Sequence, residues 1–343
     1  MAGRARRQGG SGRRRSGRRG STGRGRSAVR HLVLPLVMVL LFAGIAGGSY
    51  LALQRYGSPL NEGTCTARGL GTSHRYTVDR VANAALISAV AVDRGLPPRA
   101  ASIALATAYQ ESQLLNIDYG DRDSVGLFQQ RPSQGWGTVE QIMDPVYSSN
   151  AFYDVLVTID GYASADINDV AQQVQRSGFP EAYRDHETEG RLYASALTGQ
   201  SGANLVCTLA PASGTFSPEG VRSELARQFP RLTEAGRVTS SLESAASVAP
   251  AVPEGAGATA LAIDVGGDEA LGWAIANWAV ARAAEDGVVQ VSYAGGVWDR
   301  SAHGEDADTW STVGPGTGPG AGDDSTAGDA GDPDRVVVLV SAG

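Results

Sequence analysis

A chain of 343 residues has room for about two domains plus connectors. Its formal charge of −7 hides a segregation: of 29 basic residues, all arginine, 11 lie in residues 1–30 with no acid among them, leaving 18 against 36 acids. A bulk this acidic excludes a nucleic-acid-binding body, because attraction to phosphate needs positive surface.

The arginine-rich tail, residues 1–30, leads into an apolar stretch, "HLVLPLVMVLLFAGIAGGSYLAL", at residues 31–53. It is uncharged from Leu32 onward, and its length suffices for one membrane-spanning helix. The positive side should stay in the cytoplasm, so a single-pass anchor with its C-terminal domains outside the cytoplasm is expected. A cleaved signal peptide would normally have an apolar core about half as long. Residues 54–64 read as a stalk.

Residues 65–207 are bracketed by the chain's two cysteines, Cys65 and Cys207. Beyond the membrane they can form a disulfide; the alternative is two free buried thiols. Thr77 can cap a helix from Val78 with apolar residues at Val81, Ala85, Ala89 and Val92, which Gly95 stops. Pro97-Pro98 open a second helix over residues 99–113. One or two more follow, broken near Asp144-Pro145, and "DINDVAQQVQRSG" and "HETEGRLYASAL" supply the last two. Few strand-like runs appear, so this part is expected to be all-α.

Residues 208–258 read as a linker or the start of the next domain, with one helix capped by Ser217 and opened by Pro218. From Thr259 the pattern changes. "TALAIDV" reads as a strand, "DEALGWAIANWAVARAAEDG" as a helix, and "VVQVSYAG" and "RVVVLVSA" as strands. A small α/β (α+β) domain over residues 259–343 is expected, with a low-complexity insert at 313–333. Trp273, Trp278, Trp298 and Trp310 read as core residues in preference to a sugar platform, with Trp298 ranking first among them for exposure.

The chemistry concentrates in "TAYQESQLLNIDYGDRDSVGLFQQRPSQGWGT", residues 107–138. On a helix, Glu111 shares a face with Ala104, Thr107 and Ala108. Small apolar neighbours solvate a carboxylate poorly, so its pKa should rise, and a carboxylic acid kept protonated near neutral pH can act as a general acid. After the helix, Gly126 suits a close backbone approach, Gln129 and Gln130 suit sugar hydroxyls and N-acetyl amides, and the flat face of Trp136 suits either a sugar ring or the core.

"ESQLL" followed by "DSVGLFQQ" resembles the soluble lytic transglycosylase and goose-type lysozyme superfamily, over residues 75–205. That family has a lysozyme-like helical fold and cleaves the glycan strands of peptidoglycan. The resemblance implies that Glu111 is the acid/base, that Ser112 helps orient it, and that Gly126, Leu127, Phe128 and Gln129 line the cleft. A glycosidase of the two-carboxylate kind needs a second acid, for which Asp118, Asp121 and Asp123 are the candidates. A lytic transglycosylase manages with one: the glutamate protonates the glycosidic oxygen, then takes the proton from the muramic acid 6-hydroxyl as a 1,6-anhydro ring closes. Where the family often carries a Y-N-x-G motif, this chain has "AQQVQRSGFPEAYRDHE", making Tyr183, Gln175 and Ser177 the substitutes.

The C-terminal part resembles the M15-like peptidase domains of some actinobacterial wall proteins. Those bind zinc, but here only Asp264 stands at a ligand position and the histidines are missing, while His303 is isolated in an acidic loop. A metal-free, non-catalytic module with no cofactor is expected. The whole reads as a membrane-anchored peptidoglycan lytic transglycosylase. The alternative is a wall-binding pseudoenzyme that recruits or regulates other cell-wall hydrolases; a purely structural assembly component is a third reading.

Overall fold

The computed structural model describes residues 63–69, 71–177, 181–302, 309–312 and 334–342, all within one compact unit, residues 59–343. The basic tail, the apolar span 31–53 and most of the stalk lie outside the described residues, as do His303 and the insert 313–333. No helix among the described residues is long and apolar enough to cross a membrane.

The expected all-α domain is overturned at its first element. β1 (Gly63–Gly69) and β2 (Thr72–Thr77) form an antiparallel hairpin, and β1 pairs on its other side with β3 (Leu205–Leu209). The protein is therefore mixed α/β, with a three-stranded sheet in the order β2-β1-β3 before and after the helices in sequence. The hairpin sequences GTCTARG and TSHRYT are too polar for a strand pattern to be read from them. Pairing and a covalent staple hold them instead: Cys65 and Cys207 face each other across β1 and β3 and are joined as a disulfide, 142 residues apart in sequence. In the loop-entropy model such a closure contributes about 4–5 kcal/mol.

The helices run close to expectation. α1 (Val78–Asp93) and α2 (Pro98–Ser112) are followed by α3 (Val139–Met143), α4 (Pro145–Leu156), α5 (Ile167–Gln175) and α6 (Glu187–Leu197). Asp144 both ends α3 and caps α4, its side chain accepting from the Val146 amide at 3.0 Å, and Pro145 takes the first helical position. α2 is buried continuously from Ala100 to Ala108. Its alanines let α6 approach so closely that a Cβ on Gly190 would sit 2.9 Å from the Ser102 carbonyl oxygen.

The chain continues through α7 (Pro218–Gln228), α8 (Pro230–Glu234), β4 (Thr239–Ser244), α9 (Ala245–Val248) and β5 (Ala256–Asp264). Then come α10 (Glu269–Ala281), α11 (Ala283–Asp286), β6 (Val288–Tyr293), β7 (Gly296–Asp299), β8 (Ser311–Thr312) and β9 (Arg335–Ser341). The six strands form one sheet in the order β4-β5-β9-β6-β7-β8. β9 inserts between β5 and β6, antiparallel to both, so Val338 faces Leu261 on one side and Val291 on the other. Asp264 closes the turn after β5 by accepting the Gly266 amide at 2.9 Å.

One continuous core runs from Cys65 to Val340, and α10 stands at its centre, in contact with α1, α6, β3, β6 and β9. The Asn277 amide donates to the Ala196 and Gly202 carbonyls (2.9 and 2.8 Å). On the outer edge of β3, the Trp298 indole donates to the Cys207 carbonyl at 3.1 Å and the Trp310 indole to the Leu205 carbonyl at 2.8 Å. The two indoles thus satisfy an edge strand that would otherwise offer bare carbonyls. Trp298, the one of the four tryptophans ranked first for exposure, is 1% exposed and belongs to the core with the others read there. Residues 208–258 are structured throughout their described length, and the Leu232 amide on α8 donates to the Asp93 carboxylate on α1 at 3.0 Å.

Candidate active site

Glu111 lies in the last turn of α2 because the chain turns left-handed immediately afterwards. Gln113 (φ 57°) and Leu114 (φ 61°) both adopt positive φ, and their amides return to the Tyr109 and Ala108 carbonyls at 2.7 and 3.2 Å. The bond from Gln113 to Tyr109 is the 5→1 bond of an αL closure, built here without glycine. Burial of the Leu114 side chain (2% exposed) and a bond from Asn83 to the Leu114 carbonyl (2.8 Å) hold it.

The loop that follows is pinned at several points. The Gly126 amide donates to the Ile117 carbonyl at 2.7 Å, and a Cβ there would lie 2.9 Å from the Ile142 carbonyl oxygen, so glycine is required for both φ (80°) and space. Val125 pairs with Gln130 in a short bridge around the Gly126–Gln129 turn. The Ser112 hydroxyl donates to the Leu127 carbonyl at 2.7 Å and lies 3.0 Å from the Ala108 carbonyl. Ser112 thus bolts the loop to the helix that carries Glu111.

Tyr183, on a one-turn 3₁₀ segment (Ala182–His186), donates its hydroxyl to Glu111 Oε1 at 2.6 Å. Burial pushes the Glu111 carboxyl above its ordinary value, opposed by hydrogen bonding from Tyr183 and Gln175. The C-terminal end of α2 adds unfavourable potential for a negative charge. Burial, then the charge of Glu111, pushes the Tyr183 phenol well up, so it stays a proton-bearing donor. Gln175 also donates to the Phe128 carbonyl at 2.8 Å, linking the carboxyl to the glycine-turn loop, and Ser177 acts on the Tyr183 hydroxyl. Of the three residues read in place of the Y-N-x-G motif, Tyr183 and Gln175 act on Glu111, and Ser177 acts on Tyr183.

Other expected cleft residues sit differently. The Leu127 and Phe128 side chains are fully buried, Phe128 stacked on Phe152 with centroids 4.6 Å apart, so only their backbone can face a ligand. Gln130 is 2% exposed and donates to the Ser148 carbonyl at 3.1 Å, which makes it a tie to α4 and not a sugar contact. Gln129 is half-buried, its amide reaching the Tyr119 carbonyl at 3.2 Å. Trp136 is half-buried against the core, and its carbonyl accepts from Tyr147 at 3.2 Å.

The three aspartates divide. Asp123 accepts from Arg131 Nε (2.8 Å), the Ser133 amide (2.8 Å) and the Ser133 hydroxyl (3.0 Å). The Arg131 guanidinium first, then Ser133, hold its carboxyl well below the usual carboxylate range. So occupied an acid is a weak base and a weak nucleophile; its work is to shape the loop. Asp118 and Asp121 are exposed, Asp121 lying 3.8 Å from Arg122. Among the described residues, no cluster of three His, Cys, Asp or Glu side chains is placed to hold a metal.

What the sequence did not single out is Gln110 with His186. Both neighbour named site residues, and only the fold brings them together. No protein-family model matches the chain, and comparison with curated proteins returns no match.

Proposed function

We propose that this protein cleaves the glycan strand of peptidoglycan between N-acetylmuramic acid and N-acetylglucosamine as a lytic transglycosylase, with Glu111 as the one acid/base. The observation that carries the reading is the Glu111 carboxyl, half-buried at a helix end and met by the Tyr183 hydroxyl at 2.6 Å, where burial pushes its pKa up against the pull of Tyr183 and Gln175. Such a group keeps its proton to a higher pH than a solvated carboxyl does, and in its protonated form it can release that proton to a glycosidic oxygen.

In the first half-reaction, the Glu111 proton passes to the leaving glycosidic oxygen as the bond to the muramic acid C1 breaks. The resulting carboxylate is steadied by the Tyr183 hydroxyl, which it already accepts at 2.6 Å. In the second, that carboxylate takes the proton of the muramic acid 6-hydroxyl while its oxygen closes on C1. The products are a 1,6-anhydro end and a regenerated acid, with no water consumed. The occupied state of Asp123 and the exposed positions of Asp118 and Asp121 favour this single-acid route over a two-carboxylate hydrolysis.

The test is the full-length chain incubated with cell-wall sacculi, the soluble products being weighed by mass spectrometry. Anhydro ends that disappear on Glu111→Gln, by a factor of about 10³, support the proposal. Reducing ends, heavier by one water, would replace transglycosylation by hydrolysis. Sedimentation with sacculi and no product would replace it by wall binding without catalysis.

A further inference from the structure

The 3₁₀ segment Ala182–His186 meets the end of α2 through two side chains. On such a helix residues i and i+3 eclipse one another, so Tyr183 and His186 point the same way. Tyr183 reaches Glu111, and His186 Nε2 lies 3.0 Å from Oε1 of the adjacent Gln110. The amide oxygen can only accept, so this ring nitrogen carries the proton. The His186 ring also packs on Tyr109 (centroids 4.5 Å apart), Tyr109 stacks on Tyr76 (5.1 Å), and Tyr76 on Tyr193 (4.8 Å) of α6. The segment is five residues long and runs directly into α6. Towards α2 its side chains grip at two points, Tyr183 on Glu111 and His186 on Gln110.

We infer that Gln110 and His186 form a positioning latch that holds Tyr183 in register on Glu111. It rests on the reading of Glu111 as the proton donor, for which the Tyr183 hydroxyl sets the balance between the charged and neutral forms. The groups facing the latch are Asp185 and Glu189 from its own stretch of chain and His74 from β2, His74 Nδ1 lying 3.7 Å from Glu189 Oε1. Burial outweighs the two acids and holds His186 below its ordinary value, so the ring is a neutral donor at pH 7. Neither latch residue touches the reacting atoms; both act through Tyr183.

The experiment is the titration of Glu111 in the full-length chain, labelled with ¹³C at the glutamate carboxyls, the Glu111 signal being the one missing from Glu111→Gln. Variants Gln110→Ala, His186→Ala and His186→Gln are compared with Tyr183→Phe. Gln110 is exposed and alanine favours a helix, so Gln110→Ala should keep the wild-type melting temperature even if His186→Ala does not fold. The expected result is an upward shift of the Glu111 midpoint in Gln110→Ala and His186→Ala, smaller than in Tyr183→Phe, with His186→Gln restoring the wild-type value through its amide donor. An unchanged midpoint in folded Gln110→Ala overturns the latch. Titration needs no turnover, so a shifted midpoint in a protein that releases no anhydro product would keep the latch and discard the proposed activity.

Discussion

Two carboxyl environments partly withdrawn from water, one at the end of α2 and one at the junction of α10 and α11, show how the same desolvation can serve opposite ends. At the tip of α2, Glu111 meets neutral donors, and its carboxyl is left in tension between desolvation and two hydrogen bonds. At the junction of α10 and α11, Arg282 gathers Glu224, Glu285 and Asp286 at 3.6, 3.0 and 2.9 Å, and lies 5.7 Å from the centre of the Trp278 ring. Burial pushes Glu285 and Asp286 upward too, but the Arg282 guanidinium opposes it. In the proposed function the first arrangement supplies the proton that reacts, and once ionised it costs stability. The second compensates charge and fastens α7 to α10, with no group left available for chemistry.

Both environments sit on one core, and the disulfide tests that most strongly. Replacing Cys65 and Cys207 by serine should lower unfolding free energy by about 4–5 kcal/mol. Because the Trp298 and Trp310 indoles rest on β3, tryptophan fluorescence and far-ultraviolet circular dichroism should follow one shifted urea transition. Two separate transitions, with the fluorescence one unmoved, would mean that the two sheets fold independently.

Next in size, Arg282→Met should cost about 3 kcal/mol, since it strands carboxylates beside a side chain that is 8% exposed. Anhydro-product formation at low temperature should survive it. A variant as stable as wild type would show that this cluster is mere surface charge.

Tyr183→Phe removes one hydrogen bond to a charged group, worth roughly 1.5 kcal/mol, or about tenfold in kcat. The same change raises the Glu111 pKa further, because the lost bond favoured the carboxylate. Wild-type kcat with an unmoved Glu111 midpoint would make Tyr183 a packing residue only.

The smallest effect carries the sharpest sign. The folded-state pKa of Glu111 lies above its ordinary 4.5, so the folded protein holds this proton longer than the unfolded chain. Its contribution is intact below about pH 4.5 and is lost as pH rises toward the folded-state value. Glu111→Gln should therefore match wild type in acid and exceed it in melting temperature at neutral pH, the usual trade between stability and a working site. A variant less stable than wild type at pH 7 would place Glu111 among structural carboxylates such as Asp123.

How much of this could be read in advance follows from the range of the forces involved. Thr77 before Val78, Pro98 at a first helical position and Asp144-Pro145 between two helices are local instructions, and each helix boundary fell within a residue or two of its signal. Alternation and β-branching marked β5, β6 and β9. The hairpin β1–β2 carried no such mark, because its strands are polar and are held by pairing and by a cysteine 142 residues away. The order of the large sheet was hidden too, since nothing within "RVVVLVSA" says that it enters between two earlier strands.

At the site, the sequence by itself determined that Glu111 would end an alanine-rich helix and that a glycine turn would follow, because both depend on neighbours a few residues away. Tertiary structure alone decided that Tyr183 would meet it across 72 residues, that Leu127 and Phe128 would turn inward, and that Trp298 would be buried against β3. Those outcomes turn on which surfaces the whole chain removes from water, and that is a property of the assembled core.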